Sequence, residues 1–242
     1  MIDAIGLTAI SLQQDMQRMS VIANNAANVM TTGFKREYLM TASEVGPNFI
    51  ANGLAEPSIS TMPMLNVMTD TKSGLARQTG NVFDLALQGE GYFEVLTDTN
   101  WAYTRQGNFH LDERGRLVTQ AGFPISGVGG DIVIKSATPV IDKEGRIFEQ
   151  GKQVAQIKVV SFESTRALTN VGGGMSIQAD NSEKSEVKKP QMLQGNLESS
   201  NVDSAFEMVK MLETFRHFET SNRVIQAYDD LSDKALRNLG QF

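Results

Sequence analysis

The chain has 242 residues, 40% of them apolar and 21% charged, and a formal net charge of −6. That length holds one sizeable domain or two small ones with a real core, while an acidic chain without a Lys/Arg block offers no electrostatic reason to bind nucleic acid or an anionic membrane. The absence of cysteine excludes disulfides, thiol nucleophiles and cysteine-ligated metals.

At the N-terminus Asp3 precedes the apolar residues, and Gln13, Gln14 and Asp15 interrupt them. A cleavable secretory signal is therefore not expected, and no window approaches the roughly 18 consecutive apolar residues of a membrane-spanning helix. Ile2, Ile5, Ala9, Leu12, Met16, Met19, Ala23 and Ala26 recur at alternating spacings of 3 and 4, an unbroken a/d seam of a helix. The helix should stop near Met30, because Val29, Thr31 and Thr32 are β-branched and Gly33 is a natural C-terminal stop. Off the seam the residues are neutral and polar, Asn24, Asn25 and Asn28 among them, and only Asp3, Asp15 and Arg18 are ionised. Such a face suits packing against other protein more than exposure to solvent, and the three asparagines are read as interhelical contacts, with helix-end hydrogen bonding as the alternative.

Residues 34–76, with Pro47, Pro57 and Pro63 and no sustained period, read as an extended connecting arm with short strands. The stretch 77–178 is strand-rich: Gly91–Leu96, Trp101–Arg105, Asn108–Asp112, Arg116–Gln120, Asp131–Lys135 and Gln153–Glu163 all carry strand signals. Two turns repeat one pattern, Asp112-Glu113-Arg114-Gly115-Arg116 and Asp142-Lys143-Glu144-Gly145-Arg146; Asp opens such a turn and Gly supplies its positive φ. A compact sandwich- or barrel-like β domain is expected here. Residues 179–199 read as a loose return connection, and the Gly172–Gly174 run before them as a flexible turn. A second long helix is expected over 200–242, starting at a capping-box-like Ser200/Asp203 or at Asn201. Its seam runs Met208, Met211, Phe215, Phe218, Asn222 and Ile225, with Asn222 able to fix register. The fold class is thus α+β with a mainly β core, the two terminal helices (1–33 and 200–242) pairing as a coiled-coil-like terminal domain.

No residue set supports catalysis. His110 alternates with apolar strand neighbours and should face solvent, and Gly89-Glu90-Gly91 is followed by a strand where a dinucleotide fingerprint needs a helix. Asp84, Glu90 and Glu94 do not specify a carboxylate pair. His217 with Glu213 at i−4 lacks an evident third metal ligand, so an ordinary helix-face histidine is the better reading. No cofactor and no metal are expected.

Four segments carry a resemblance. They are NAANVMTTGFKR (25–36), TGNVFDLALQGEGYF (79–93), YTRQGNF (103–109, running on to Leu117-Val118) and QGNLESSNV (194–202). In order and position they resemble the rod and hook proteins of the bacterial flagellum, with Met30 standing where a small polar residue is usual. Within that family the proximal-rod members are most similar and the distal-rod members next. The resemblance implies a structural subunit of the basal-body rod, exported by the flagellar type III apparatus without signal cleavage. It implies self-association and contact with other rod subunits, with Ile5, Leu12, Met16, Met19, Asn24, Asn25, Asn28, Met208, Met211, Phe215, Phe218, Asn222 and Ile225 at the assembly interface. From another class, a β-domain binding module dimerised by a coiled coil fits the seams alone.

Overall fold

The computed structural model describes residues 2–41, 65–98, 100–162, 168–178 and 184–239. The chain is mixed, with a mainly β core between a first and a last helix. In order it forms α1 (Ile2–Ala27), β1 (Glu37–Thr41), β2 (Leu65–Thr69), β3 (Ala76–Gln78), β4 (Leu85–Gln88), β5 (Tyr92–Leu96), β6 (Trp101–Thr104), β7 (His110–Leu111), β8 (Leu117–Val118), β9 (Ser126–Gly127) and β10 (Gly130–Asp131). There follow β11 (Val140–Ile141), β12 (Arg146–Glu149), β13 (Lys152–Gln156), β14 (Val159–Phe162), β15 (Leu168–Gly172), β16 (Met175–Gln178), β17 (Lys184–Glu186), β18 (Gln191–Gln194), β19 (Asn196–Glu198) and α2 (Ser204–Leu239). Two compact units result: residues 1–27, 37–68 and 203–242 form one, and residues 28–36 and 69–202 the other.

In the helical unit, α1 ends at Ala27, three residues short of the expected stop, and passes through turns to Gly33, whose φ is +67°. The start of α2 is capped by Asp203, whose Oδ1 accepts from the N–H groups of Ala205 (2.9 Å) and Phe206 (3.2 Å); this side-chain acceptor satisfies otherwise orphaned first-turn donors. Neither Ser200 nor Asn201 is the cap: the Ser200 hydroxyl accepts from Val202 N–H, and Asn201 is engaged elsewhere. β1 and β2 form a two-stranded sheet, and most of the expected arm, including Pro47, Pro57 and Pro63, lies outside the described residues.

The β unit centres on a six-stranded sheet in the order β15-β16-β6-β5-β14-β17, antiparallel throughout. Smaller two- and three-stranded sheets surround it, and no closed barrel forms among the described residues. Phe93 and Val95 point to one face and join Leu85, Phe109, Leu117, Ile125, Ile132, Ile134, Ile147, Ile157 and Val159 in the core, as a strand's period of two requires. The two similar turns adopt the same structure. Asp112 accepts from the N–H groups of Arg114 and Arg116 and from Arg116 Nε; Asp142 accepts from Glu144, Arg146 and Arg146 Nε in the same way. Gly115 and Gly145 have φ of +75° and +74°.

The sequence reading understates the strands at one point. The return connection over 179–199, expected to be loose, contributes β17, β18 and β19. Gly172, Gly173 and Gly174 all take positive φ and close the β15–β16 hairpin, with Gly172 N–H donating to Asn170 Oδ1 at 2.8 Å. Conversely, Asn108–Asp112 and Arg116–Gln120 shrink to the two-residue strands β7 and β8, because turns at Asp112 and Thr119 interrupt them.

Candidate assembly interface

The helical unit is built in an unusual way. Along α2 the less exposed positions are Glu207, Met211, Thr214, Phe218, Ser221, Ile225 and Tyr228, again at spacings of 4 and 3. This stripe shares Met211, Phe218 and Ile225 with the expected seam, but Glu207, Thr214 and Ser221 take the alternate places expected for Met208, Phe215 and Asn222. Glu207 and Thr214 are buried, while Met208 is 67% exposed and Phe215 55% exposed. Along α1, Asp15 and Asn25 are buried, Leu12 and Met19 are half-buried, and Ile5 and Met16 are exposed.

Buried polar residues need partners, and those of α1 have them. Asp15 lies 2.5 Å from Nδ1 of His217 and 3.3 Å from Arg18, which joins the middle of α1 to the middle of α2. Asp15 is 12 residues before the end of α1 and His217 13 after the start of α2; with Phe34 and Asn201 bonded backbone to backbone, the helices run antiparallel. The Asn25 amide donates to Glu37 O at 2.7 Å and accepts from Glu37 N–H at 2.8 Å. Within the chain, Asn25 thus makes the helix-end contact that fixes the start of β1. Asn24 donates to the Glu37 carboxylate, and Asn28 accepts from Thr31 Oγ1. His217 therefore serves the helix pair, while Glu213 and Glu219 pair with Lys210 and Arg223. His110 is exposed, as its strand position implies.

The β unit holds a polar site that sequence reasoning did not single out. Glu198 is buried between two buried cations, with Lys35 Nζ 2.5 Å from one oxygen and Arg105 3.2 Å from the other. Gly74 N–H also donates to Glu198, and Lys35 donates to Lys72 O. Arg105 donates to Gly89 O and lies over the Tyr92 ring at 5.4 Å. Burial holds the Lys35 ammonium below its usual range, with Glu198 opposing that shift, and burial pushes the Tyr92 phenol up. The signal lay in the four resembling segments: Lys35 comes from the first, Gly89 and Tyr92 from the second, Arg105 from the third and Glu198 from the fourth. They meet around one carboxylate.

A second buried carboxylate, Glu94, sits on the opposite face of β5 from the core and pairs with Lys158 at 2.6 Å and Lys184 at 2.7 Å. Burial raises its affinity for a proton, but the two lysines outweigh burial and hold it below the usual carboxylate range. Both carboxylates are thus ion-paired structural groups. Among the described residues, no group of three or more His, Asp or Glu side chains is arranged to hold a metal, and no helix is long and apolar enough to cross a membrane.

Three families match the chain in succession: the flagella basal body rod protein family over residues 6–35, the flagellar hook protein FlgE/F/G D1 domain over 86–158, and the flagellar basal body rod FlgEFG protein C-terminal family over 193–238. Among individual relatives, the flagellar basal-body rod protein FlgF of Caulobacter vibrioides is 31% identical over 236 residues, covering 96% of each chain. FlgG of Buchnera aphidicola subsp. Acyrthosiphon pisum is 31% identical over 97% of this chain and 98% of its own. FlgG of Bacillus subtilis is 29% identical over 88% and 90%.

Proposed function

Since the chain belongs to the flagellar basal-body rod protein family, we propose that it is a FlgF-like structural subunit that enters the rod by burying the apolar ridges of its two terminal helices against neighbouring subunits. The observation that carries this reading is the inversion of the helix pair. Asp15, Asn25, Glu207 and Thr214 are buried, whereas Met16, Met208, Leu212 and Phe215 are all more than half exposed. A monomer has no reason to leave such a ridge in water, and contiguous exposed apolar surface marks an interaction site. Contacts that do not close on themselves generate a helical tube, and other copies or other rod proteins supply the facing helices.

In this role Ile5, Met16, Met208 and Phe215 form the outward ridge. Leu12, Met19, Met211, Phe218 and Ile225 support it from the half-buried side, and Asn24, Asn25 and Asn28 hold the base of α1. The helices pair as a coiled-coil-like terminal domain, the β unit stands as a sandwich-like body, and the chain performs no catalysis. It reaches the periplasmic rod through the flagellar export apparatus. The proximal position follows the FlgF relative, although FlgG relatives match at similar identity.

The test is a Met16→Gln/Phe215→Gln variant followed by light scattering at rising concentration and by recovery of rods from cells carrying it. We expect self-association and rod incorporation to be lost while the thermal transition of the β unit stays in place. Unchanged association, or growth that stops at a closed dimer in both proteins, would overturn the assembly reading.

A further inference from the structure

Apolar stripes align helices poorly, and here that ambiguity is built in. On the inward side of α2, Met211, Phe218 and Ile225 stand seven residues apart. A slip of one heptad, about 10 Å at 1.5 Å per residue, replaces two of these three large apolar side chains by another of the row. The Asp15–His217 pair does not repeat in this way. Seven residues to either side of His217 stand Lys210 and Val224, and seven to either side of Asp15 stand Thr8 and Ile22. Asp15 is 1% exposed, so it must keep a partner, and its neighbour Arg18 is 44% exposed and comes from the same helix. Among the described residues, His217 joins it from α2.

We propose that Asp15 and His217 are the specificity pair of the terminal helices, selecting the α2 that α1 accepts and the register in which the two align. A polar position within a helix seam can set register at some cost in stability, and here it is the buried Asp15 carboxylate that needs its His217 partner, whose own ring is 58% exposed. The inference rests on the reading of the chain as an assembling subunit, because the choice matters most where the helices of many copies compete. A slip in one direction sets Asp15 against Val224 and leaves the buried carboxylate with Arg18 of its own helix and no partner from α2. A slip in the other sets it against Lys210, which in the native register pairs with Glu213.

The chain contains no cysteine, which makes cross-linking clean. Ser11 is four residues before Asp15 and Ser221 four after His217, so the native register sets them opposite each other; a one-heptad slip toward Lys210 sets Ser11 opposite Thr214. We expect Ser11→Cys/Ser221→Cys to close readily under mild oxidation in a dilute, monomeric sample. Adding His217→Val should lower that yield by on the order of tenfold, as the loss of one charge-assisted bond implies. The corresponding Ser11→Cys/Thr214→Cys product should rise, within a chain or between two. Exchanging the pair, Asp15→His with His217→Asp, should restore the native product. Retention of the 11–221 product after His217→Val, or equal loss of both products with no rescue by the exchange, would overturn the proposal. The readout needs no assembly, so a chain that never polymerises still tests register.

Discussion

Lys35 and Glu198 are 163 residues apart in sequence and meet at 2.5 Å with both side chains buried. Arg105 closes on the same carboxylate from the other side, so one anion holds two cations inside the β unit. Removing one partner of a buried pair is far more damaging than replacing the whole set. Glu198→Gln should therefore destabilise the β unit by about 3–5 kcal/mol. Urea unfolding followed by the fluorescence of Trp101, the chain's single tryptophan, measures this. Replacing Lys35, Arg105 and Glu198 together by Met, Met and Leu should cost much less than the single change.

Gly107 and Gly80 separate two reasons for needing glycine. A Cβ on Gly107 would lie 1.6 Å from Leu85 O, while at Gly80 nothing lies within 4 Å but φ is +77°. Gly107 O also accepts from Leu85 N–H at 2.9 Å, so the strand cannot move aside freely. Gly107→Ala should cost about 1–3 kcal/mol or more from overpacking. Gly80→Ala should cost only about 1–2 kcal/mol, the ordinary price of left-handed backbone. Parallel denaturant titrations of the two variants give the comparison.

Glu94 sets an acid limit on stability. Its folded-state proton affinity is lower than that of a free carboxylate, whose value is 4.5. The unfolded chain then binds the extra proton first as pH falls, so stability decreases on acidification through and below about pH 4.5. The contribution is fully present above that value and is lost once pH passes below the folded-state value. Glu94→Gln should show a shallower fall across this window than the parent, measured as unfolding free energy against pH.

Two phenylalanines one turn apart on α2 should behave oppositely in the free chain. Phe218 is half-buried, and Phe218→Ala should weaken the helix pair by about 2–3 kcal/mol, toward the lower end for apolar truncations because burial is partial. Phe215 is 55% exposed, and Phe215→Ala should stay within about 0.5 kcal/mol of the parent. Far-UV circular dichroism during urea titration of dilute protein reads both.

How much of this was legible in the sequence varies with the kind of signal. The two helices and the strands Tyr92–Leu96 and Trp101–Thr104 followed from period and turn residues, and the Asp112 and Asp142 turns from their shared pattern. The inward faces of the helices did not follow. Helical periodicity assigns apolar residues to the interior, so it chose Met16, Met208 and Phe215, whereas the pair buries Asp15, Glu207 and Thr214. A helix with partners on more than one side has more than one interior, and a single period cannot rank them. The Lys35–Glu198–Arg105 site was illegible for another reason: its members are far apart in sequence, and only resemblance marked their segments. The β15–β16 hairpin was missed because three successive glycines read as slack, although each occupies a backbone conformation the turn demands.

Within the β unit, residues 28–36 and both ends of the stretch 69–202 are bonded together: Asn201 N–H donates to Phe34 O, Arg36 N–H to Asn201 Oδ1, and Asn201 Nδ2 to Asp70 O. The continuous stretch 69–202 is, in topological terms, a cassette whose two ends meet at Asp70 and Asn201. Closely spaced ends are what make an inserted domain tolerable to its host. The cassette can therefore grow, shrink or be exchanged while its two ends stay together, which gives one assembly scheme room for subunits with different β bodies.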